Sequence, residues 1–345
     1  MRPNEIVRIL RNRITGGEFP PGSPLPLRHE LLKEFDISVA TFQKCINQLT
    51  EEGFLKSKGG KGTFVTEFPP HLYEYALVFP EETESERKDT FFPSIRKASK
   101  NFAATMEGVR FRNYFVGNSE YFITTDMDRL ISHAQEHLLA GIIFVNFAPR
   151  PETQKKLAPC PCVVISRLKS DSKHDYPSLE FDAESMLSGC LETLKAKGCR
   201  RTAVLVSAGI STKRLIRLRK MVPDMPDEWL LGIDHITGRP MLNRNIIKLL
   251  LNRPKDERPD SLAVLNENFM VLVMEVLKEL GLKPGKDIML ASHSNDPIHA
   301  EQYPDVEYLS FSSRKVLETA FQLLKENNPK KIKLIKAERL IINNK

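Results

Sequence analysis

Two lysines beside a run of glycines are the residues whose chemistry is easiest to assign. They lie in the stretch Lys58-Gly59-Gly60-Lys61-Gly62. Lysine ammonium groups bind backbone phosphates, and glycine allows a tight turn and a close approach of the main chain. Further candidate contacts precede this stretch and comprise Arg28, Ser38, Val39, Thr41, Gln43 and Lys44. Since a glutamine side chain can form two hydrogen bonds with an adenine edge, the two sets together predict contact with duplex DNA.

The histidines and cysteines give a weaker indication of metal binding or catalysis. His133 and His137 stand one helical turn apart with a glutamate between them, a spacing that can hold zinc, but no third ligand lies nearby. Cys160-Pro161-Cys162 is too short for a zinc knuckle and lacks a second cysteine pair. His293 and Asp296 are close in sequence, but no serine stands in the strand-to-helix turn that a hydrolase uses. We therefore expect no catalytic residue, no metal site and no cofactor.

The elements that position the DNA contacts follow from the apolar pattern. A first helix is predicted near residues 27–35, where leucine and phenylalanine recur at helical spacing. Ser38 is placed to cap a second helix, Val39–Glu52. Two strands, Phe54–Ser57 and Thr63–Thr66, then flank the glycine-rich turn. Helix, tight turn, helix and β-ribbon form a winged helix-turn-helix, in which the second helix enters the major groove and the β-ribbon is the wing.

A further helix is predicted at the start of the chain, over Asn4–Thr15. Its apolar stripe is made of Ile6, Ile9, Leu10 and Ile14. The same periodicity places Arg8, Arg11 and Arg13 on the opposite, polar side of the helix. We expect these arginines to face water rather than phosphate.

Five blocks in the first fifth of the chain occur together in a characteristic order and spacing. They are Leu25-Pro26, Glu30-Leu31, Ser38–Phe42, Leu49–Leu55 and Gly60–Val65. These blocks resemble the GntR family of bacterial transcription regulators. The resemblance implies a homodimer that reads a palindromic operator, with the wing at the minor groove. Val39 and Gln43 stand where that family usually carries arginine, the common partner of guanine, so a different operator half-site is expected. A winged helix used only for protein contacts is the alternative.

Length, charge and composition bound the rest of the chain. At 345 residues, two or three domains are expected, and we place a DNA-binding domain at 1–68, an extended linker at 69–74 and a second domain at 75–345. The net charge is +7, but residues 1–70 hold ten Lys and Arg against eight Asp and Glu, so positive charge concentrates at the wing. Five cysteines, an odd number, indicate reduced thiols. No secretion signal or membrane span is recognisable, which predicts a cytoplasmic protein with no membrane partner.

From Tyr75 onwards, short apolar strands alternate with amphipathic helices. Strands are predicted at Tyr75–Phe79, Asn113–Val116, Gly141–Phe147, Cys162–Ser166, Thr202–Val206, Ser261–Leu265, Ile288–Ala291, Val306–Phe311 and Lys331–Ile342. Helices are predicted at Phe92–Met106, Asp126–Leu139, Ala183–Lys197, Thr212–Met221, Met241–Asn252, Glu267–Leu280 and Arg314–Asn327. Such alternation is typical of an α/β fold with parallel sheets flanked by helices. The number of units predicts two similar halves that divide near Phe181.

Ordered blocks also recur through this second part. They are Phe91-Phe92, Ala140–Val145, Phe181-Asp182, Lys197–Ala203, Pro259–Glu267 and Leu280–Ile288. These blocks resemble the effector domain of the LacI/GalR regulators, a periplasmic-binding-protein-like fold. The resemblance implies two lobes that close over a small ligand at the carboxyl ends of the strands. A GntR winged helix on such a domain is the architecture of the arabinose-responsive regulators, so a sugar or sugar derivative is the implied effector.

The resemblance also assigns candidate effector contacts. Its ligand-clamping arginine falls on Arg217, whose guanidinium can fork onto two hydroxyls or a carboxylate. Its pocket asparagine falls on Asn266, and the aromatic residue that stacks on the ligand falls on His235. The remaining pocket positions hold Ser294, Asn295 and Ser166, where the family or some of its members carry aspartate. Fewer carboxylates open the pocket to a less polar or more acidic ligand. An arginine at the surface and an asparagine that stabilises a loop are the alternatives.

Together these features predict a DNA-binding protein gated by a small molecule. Closure of the two lobes on the effector changes the arrangement of the two winged helices in a homodimer, provided that the effector binds one state more tightly than the other. The expected partners are double-stranded operator DNA and the effector. The alternative is a sugar-binding or sugar-processing protein that uses its winged helix for assembly.

Overall fold

Four buried apolar clusters organise the chain. One lies inside the winged helix, two lie on the faces of a first large sheet, and one surrounds a second large sheet. The structure is a computed structural model and describes residues 1–80, 90–117, 125–158, 160–166, 176–234, 240–295, 297–328 and 331–340. No helix within these ranges is long and apolar enough to cross a membrane.

The winged helix forms as its sequence pattern predicts. Its elements are α1 Pro3–Thr15, α2 Arg28–Phe35, α3 Val39–Glu51, β1 Leu55–Lys58 and β2 Gly62–Val65. The Ser38 hydroxyl accepts a hydrogen bond from the Thr41 amide at 3.2 Å, which caps α3 as expected. Gly53 has φ of +88° and ends that helix in the left-handed region, where a Cβ would be strained. The two strands pair antiparallel and set Lys58 opposite Gly62.

Arg11 is buried in the winged helix, so the prediction that its side chain faces water is wrong. Its side chain is only 7% exposed and donates to the Glu52 carboxylate at 2.7 Å. The guanidinium also lies over the Phe54 ring, 5.8 Å from its centroid. Periodicity placed Arg11 on the polar side of α1. Helix α3 packs against α1, however, and Glu52 directly follows α3, so the fold brings the Glu52 carboxylate to the Arg11 guanidinium. A second carboxylate, that of Glu136, lies 3.8 Å away in the next domain.

The linker differs from the extended spacer that its prolines predict. Residues Pro70–Tyr73 form one helical turn, α4, directly before the first strand of the next domain. The His71 ring stacks on Phe54 with 5.9 Å between centroids. Burial lowers the pKa of His71 to about 4, because the charged imidazolium would lose its hydration there. Leu138 of the second domain also packs against the core of the winged helix.

The second domain alternates strands and helices along its whole length. Up to the middle of the chain its elements are β3 Glu74–Pro80, α5 Phe91–Thr105, β4 Arg110–Val116, α6 Thr125–Gln135, β5 Gly141–Val145, α7 Pro151–Leu157, β6 Cys162–Ser166, β7 Ser178–Phe181 and α8 Ala183–Ala196. The elements that follow are β8 Thr202–Ser207, α9 Thr212–Lys220, β9 Leu230–Ile233, α10 Pro240–Leu251, β10 Ser261–Val264, α11 Met270–Glu279, β11 Met289–His293, α12 Pro297–Gln302, β12 Val306–Ser310, α13 Ser313–Glu326, β13 Ile332–Ile335 and β14 Glu338–Arg339.

These strands form two six-stranded sheets, one in each lobe. The first runs β13-β7-β6-β5-β3-β4, with every neighbouring pair parallel. The second runs β14-β12-β11-β10-β8-β9 and is parallel except for the last strand of the chain, β14. The predicted α/β fold with two halves is therefore confirmed. The carboxyl ends of the parallel strands carry the loops that face a ligand cleft in such folds.

The chain passes between the lobes more than once. It enters the second lobe after Phe181, the predicted division, and returns with α13, which packs on strands of the first sheet. The single strand predicted over Lys331–Ile342 is wrong, because β13 joins the first sheet and β14 joins the second; residues 341–342 lie outside the described ranges. Apolar residues at both ends of the stretch favoured one strand, but the chain leaves the first sheet after Ile335 and enters the second at Glu338. The short strands β7 and β9 were not predicted, since four residues give too little periodicity.

Candidate functional site

The predicted DNA contacts lie on α2, α3 and the turn of the wing, and nearly all of them are exposed. Thr41 is half-buried, and the other predicted contacts are exposed: Arg28, Ser38, Val39, Gln43, Lys44, Lys58, Gly60 and Lys61. The turn between β1 and β2 is closed by a bond from the Lys61 amide to the Lys58 carbonyl at 2.9 Å. Within the described ranges, no carboxylate lies within 4 Å of the ammonium group of Lys44, Lys58 or Lys61. These positions stay a prediction of contact with DNA.

Gln43 lies on the exposed face of α3 with a defined orientation. Its amide nitrogen donates to the Asn47 side chain at 2.9 Å, one turn further along the helix. This bond leaves the amide oxygen and a second N–H for an outside partner. An oriented amide is the arrangement that suits an adenine edge in the major groove.

Replacing Gln43 by alanine is expected to lower affinity for the operator by about 1–3 kcal/mol per half-site, because each half-site loses one bidentate base contact. Affinity for random duplex DNA should be unchanged. The operator is first selected from a random duplex library, and both affinities are then measured by fluorescence anisotropy. Thr50→Ala at the far end of the same helix is the control. Equal losses on both kinds of DNA would exclude base reading by Gln43.

A cleft of about 210 Å³ lies between the two lobes. Apolar and aromatic side chains dominate its wall, and a few polar groups converge on it. The main lining residues are Phe91, Phe181, Phe311, Met186, Ile210, Arg214, Asp234, Asn266, Glu267, His293 and Asn295. Several stand at strand ends, with Phe181 closing β7 and His293 closing β11. Such a site, apolar with few polar groups, is typical of a small-molecule pocket.

The arginine in this cleft is Arg214, not Arg217. Arg214 is 5% exposed, and its Nη2 atom donates to the carbonyl of Phe181 at 2.8 Å. Burial lowers the pKa of Arg214, an effect that the carboxylate of Glu184 opposes. Arg217 lies one turn further along α9, does not line the cleft, and forms an ion pair with Glu184 at 2.7 Å. Arg214 is therefore the arginine at the cleft, and contact of either arginine with an effector stays a prediction.

The asparagines predicted for the pocket do line the cleft. The Asn266 amide donates to Ser207 Oγ at 3.1 Å, and its oxygen accepts from the Asn268 amide at the same distance. Asn295 bonds through Oδ1 to His293 Nε2 at 2.9 Å. Their contact with an effector stays a prediction.

The serines predicted for the pocket lie elsewhere. Ser294 is fully buried and Ser166 is 8% exposed, and neither lines the cleft. Ser294 donates its amide to the Leu309 carbonyl and so holds the β11–β12 edge. His235 lies outside the described residues. Sequence reasoning did not assign Glu267 or His293 to the cleft, although each follows a predicted strand end by two residues, a position that could have suggested them.

The described residues that were considered for metal binding or catalysis have other partners or are buried. Within the described ranges no three His, Cys, Asp or Glu side chains come together as a metal site. His133 bonds to the Tyr114 hydroxyl at 2.7 Å, and Glu136 accepts from Ser132 at 2.8 Å. Cys162 is buried, which raises the pKa of its thiol to about 12 and keeps it protonated and unreactive. Asp296 lies outside the described residues.

Comparison with known proteins assigns the first part of the chain. Residues 3–65 match the family model described as "Bacterial regulatory proteins, gntR family". The amino-terminal domain belongs to the GntR family. A mannosyl-D-glycerate transport/metabolism system repressor, MngR of Escherichia coli K12, is 34% identical over 83 residues, which are 24% of this chain and 35% of that protein. This GntR domain carries the basic wing and the capped α3 described above.

Similarity also extends through the second part. The arabinose metabolism transcriptional repressor of Geobacillus stearothermophilus is 22% identical over 303 residues, which are 80% of this chain and 77% of that protein. A LacI family transcriptional regulator from Arthrobacter sp. FB24, solved with lactose, superposes with a TM-score of 0.58 at 16% identity. That match covers 78% of this chain and 98% of the other. The GntR domain is therefore joined to a two-lobed domain of LacI type, as its sequence predicted, and the chain is a transcriptional regulator.

Proposed function

We propose that this regulator binds operator DNA through its GntR domain and that a sugar or sugar derivative in the interlobe cleft controls this binding. The observation that carries the proposal is the pairing of two surfaces in one chain. One is the exposed basic wing beside α3, and the other is a largely apolar cleft on which Arg214, Asn266 and Asn295 converge. Such a protein acts in the cytoplasm, where its operator is, and needs no catalytic activity.

The composition of the cleft favours a sugar ring. Phe91, Phe181 and Phe311 offer aromatic rings to the apolar face of a sugar, while side-chain amides and a guanidinium pair with hydroxyl groups. The cleft of about 210 Å³ is smaller than the roughly 300–1,000 Å³ of most ligand sites. A single-ring sugar or sugar acid fits this size better than a disaccharide. A relative named for arabinose metabolism and a neighbour solved with lactose agree with a carbohydrate.

A thermal-shift screen of pentoses, hexoses and their acids on the full chain tests this proposal. A ligand at a hundredfold excess over its Kd stabilises the folded protein by about 2.7 kcal/mol. The stabilising sugar should then change operator affinity in a gel-shift titration. Incubation of the same sugar with the protein, followed by NMR, distinguishes the alternative, since a sugar-processing protein would convert it. A sugar that stabilises the protein but leaves operator affinity unchanged would contradict gating.

We also propose that two copies associate through an apolar face on the second lobe. This face consists of Met241, Leu242, Ile246 and Leu249 on α10 with Val271 on α11, and the first four side chains are between 38% and 74% exposed. Helices α10 and α11 pack against each other, and we infer that these exposed side chains form one surface. A second copy is the occupant that a palindromic operator requires, because each half-site takes one winged helix.

Leu249→Glu is expected to give a monomer, because a carboxylate cannot be buried unpaired in an apolar interface. Operator affinity should fall by about a hundredfold or more once the two half-sites are no longer bound together. Sedimentation velocity measures the first effect and a gel shift the second. Leu334→Glu is the control, since Leu334 is comparably exposed but lies on β13 of the other lobe. A Leu249→Glu variant that stays dimeric would contradict this interface.

A further inference from the structure

The carboxylate of Glu267 is buried at the cleft and held by donors from both lobes. The residue is 4% exposed and stands just after β10, in the second lobe. Within its own lobe it accepts from the Asn295 amide at 2.9 Å and from the Asn295 side chain at 3.4 Å. A buried carboxylate is tolerated only when such donors replace its lost hydration.

A further donor to Glu267 comes from the opposite lobe. The Thr90 hydroxyl, at the residue that precedes α5, bonds to Glu267 Oε1. Thr90 is anchored in the first lobe, since its carbonyl accepts from the Ser94 amide at 3.1 Å and from the Ser94 hydroxyl at 2.8 Å. The next residue, Phe91, packs edge-on against Phe181 with 5.6 Å between centroids. The Thr90–Glu267 bond therefore joins two residues that are each hydrogen-bonded within their own lobe.

We propose that the Thr90–Glu267 hydrogen bond is a latch that holds the two lobes closed before any effector binds. Opening the cleft breaks this bond, whereas the bonds from Asn295 move with Glu267 and survive. A hydrogen bond to a charged group is about twice as strong as a neutral one, so this single contact weighs heavily in the balance between the two states. Glu267 is thus a positioning residue, because it also sets the backbone and amide of Asn295 at the cleft wall.

The latch deepens the proposed function, which needs a defined balance between open and closed lobes. An effector can shift only an equilibrium that exists, and it does so by its differential affinity for the two states. In a chain that is closed by its own latch, only a small fraction of the molecules have open lobes, and the effector enters these molecules. The latch itself is a property of the domain and needs neither DNA nor effector to be tested.

The test measures lobe separation in the full chain without any ligand. Spin labels are placed at Lys100→Cys on α5 and Lys213→Cys on α9, which are exposed residues of the two lobes, and Cys199 is replaced by serine. Labelled protein is mixed with an excess of unlabelled protein, so that pairs within one chain dominate the electron–electron double-resonance signal. Thr90→Val, which keeps the shape of the side chain and removes the donor, should lower the closed-to-open ratio by about tenfold.

Two variants separate the latch from a general effect on folding. Thr90→Ser keeps the hydroxyl and should retain the wild-type distance distribution. Thr105→Val is the matched control at the other end of the same helix, where the threonine hydroxyl donates only to the Phe102 carbonyl; it should also leave the distribution unchanged. A longer distance in Thr90→Val alone supports the latch. An unchanged distribution in Thr90→Val, or the same lengthening in Thr105→Val, would overturn it, and neither outcome bears on the sugar or the operator.

Discussion

Arg214→Ala should weaken binding of the stabilising sugar by about 10- to 150-fold, the equivalent of a charged hydrogen bond worth roughly 1.5–3 kcal/mol. The guanidinium is buried in the cleft wall and is oriented by its bond to the Phe181 carbonyl, and among the described lining residues there is no lysine or second arginine to replace it. Arg214→Lys should recover only part of the affinity, because an ammonium cannot form the two parallel bonds of the guanidinium fork. Isothermal titration calorimetry with the sugar from the thermal-shift screen measures all three proteins.

Arg217→Ala is the matched control for this prediction. Arg217 lies one turn away on the same helix. Its side chain is 40% exposed, so its ion pair with Glu184 contributes little to stability. Sugar affinity should therefore stay within about twofold of wild type, since exposed pairs are worth roughly 0–1 kcal/mol. A melting curve without sugar verifies that each variant folds. A larger loss in Arg217→Ala than in Arg214→Ala would restore the assignment made from the sequence.

Replacing Lys58 and Lys61 together by alanine should make DNA binding much less sensitive to salt. Each phosphate contact contributes about 0.9 to the slope of log K against log salt, so loss of four lysines in a dimer should lower the slope by about 3.6. Affinity should fall on every sequence alike, because these ammonium groups bind phosphate and not base edges. Filter binding from 50 to 200 mM salt, on operator and on random duplex, measures both effects.

The control is a double variant with the same change in charge at a distant site. Lys283 and Lys286 are exposed in the second lobe, and their replacement by alanine removes two positive charges from each chain without touching the winged helix. Its salt slope should match wild type. Equal slopes in the wing variant and in wild type would mean that the wing does not contact phosphate. Equal decreases in both double variants would mean that net charge, and not the wing, determines the slope.

Local pattern was sufficient for the winged helix. The apolar spacing of α3, its Ser38 cap and the glycine that ends it each act within one or two turns, and the structure has that helix within one residue of the prediction. The alternation of strands and helices likewise predicted two parallel sheets, because runs of buried apolar residues separated by amphipathic helices have few other ways to bury their surface. The exposure of Lys58 and Lys61 could be predicted because both lie at the turn between two short strands.

Tertiary packing decided which side chains meet. Arg214 and Arg217 lie three residues apart on one helix, and in the folded chain Arg214 lines the cleft and bonds to the Phe181 carbonyl, whereas Arg217 pairs with Glu184 outside it. Arg11 looks solvent-exposed by periodicity, yet the fold brings Glu52 to it from 41 residues away. Thr90 and Glu267 are separated by 177 residues, and no local pattern relates them. Periodicity reports which face of an element is apolar, whereas the partner of a buried charge depends on how distant elements are arranged in three dimensions.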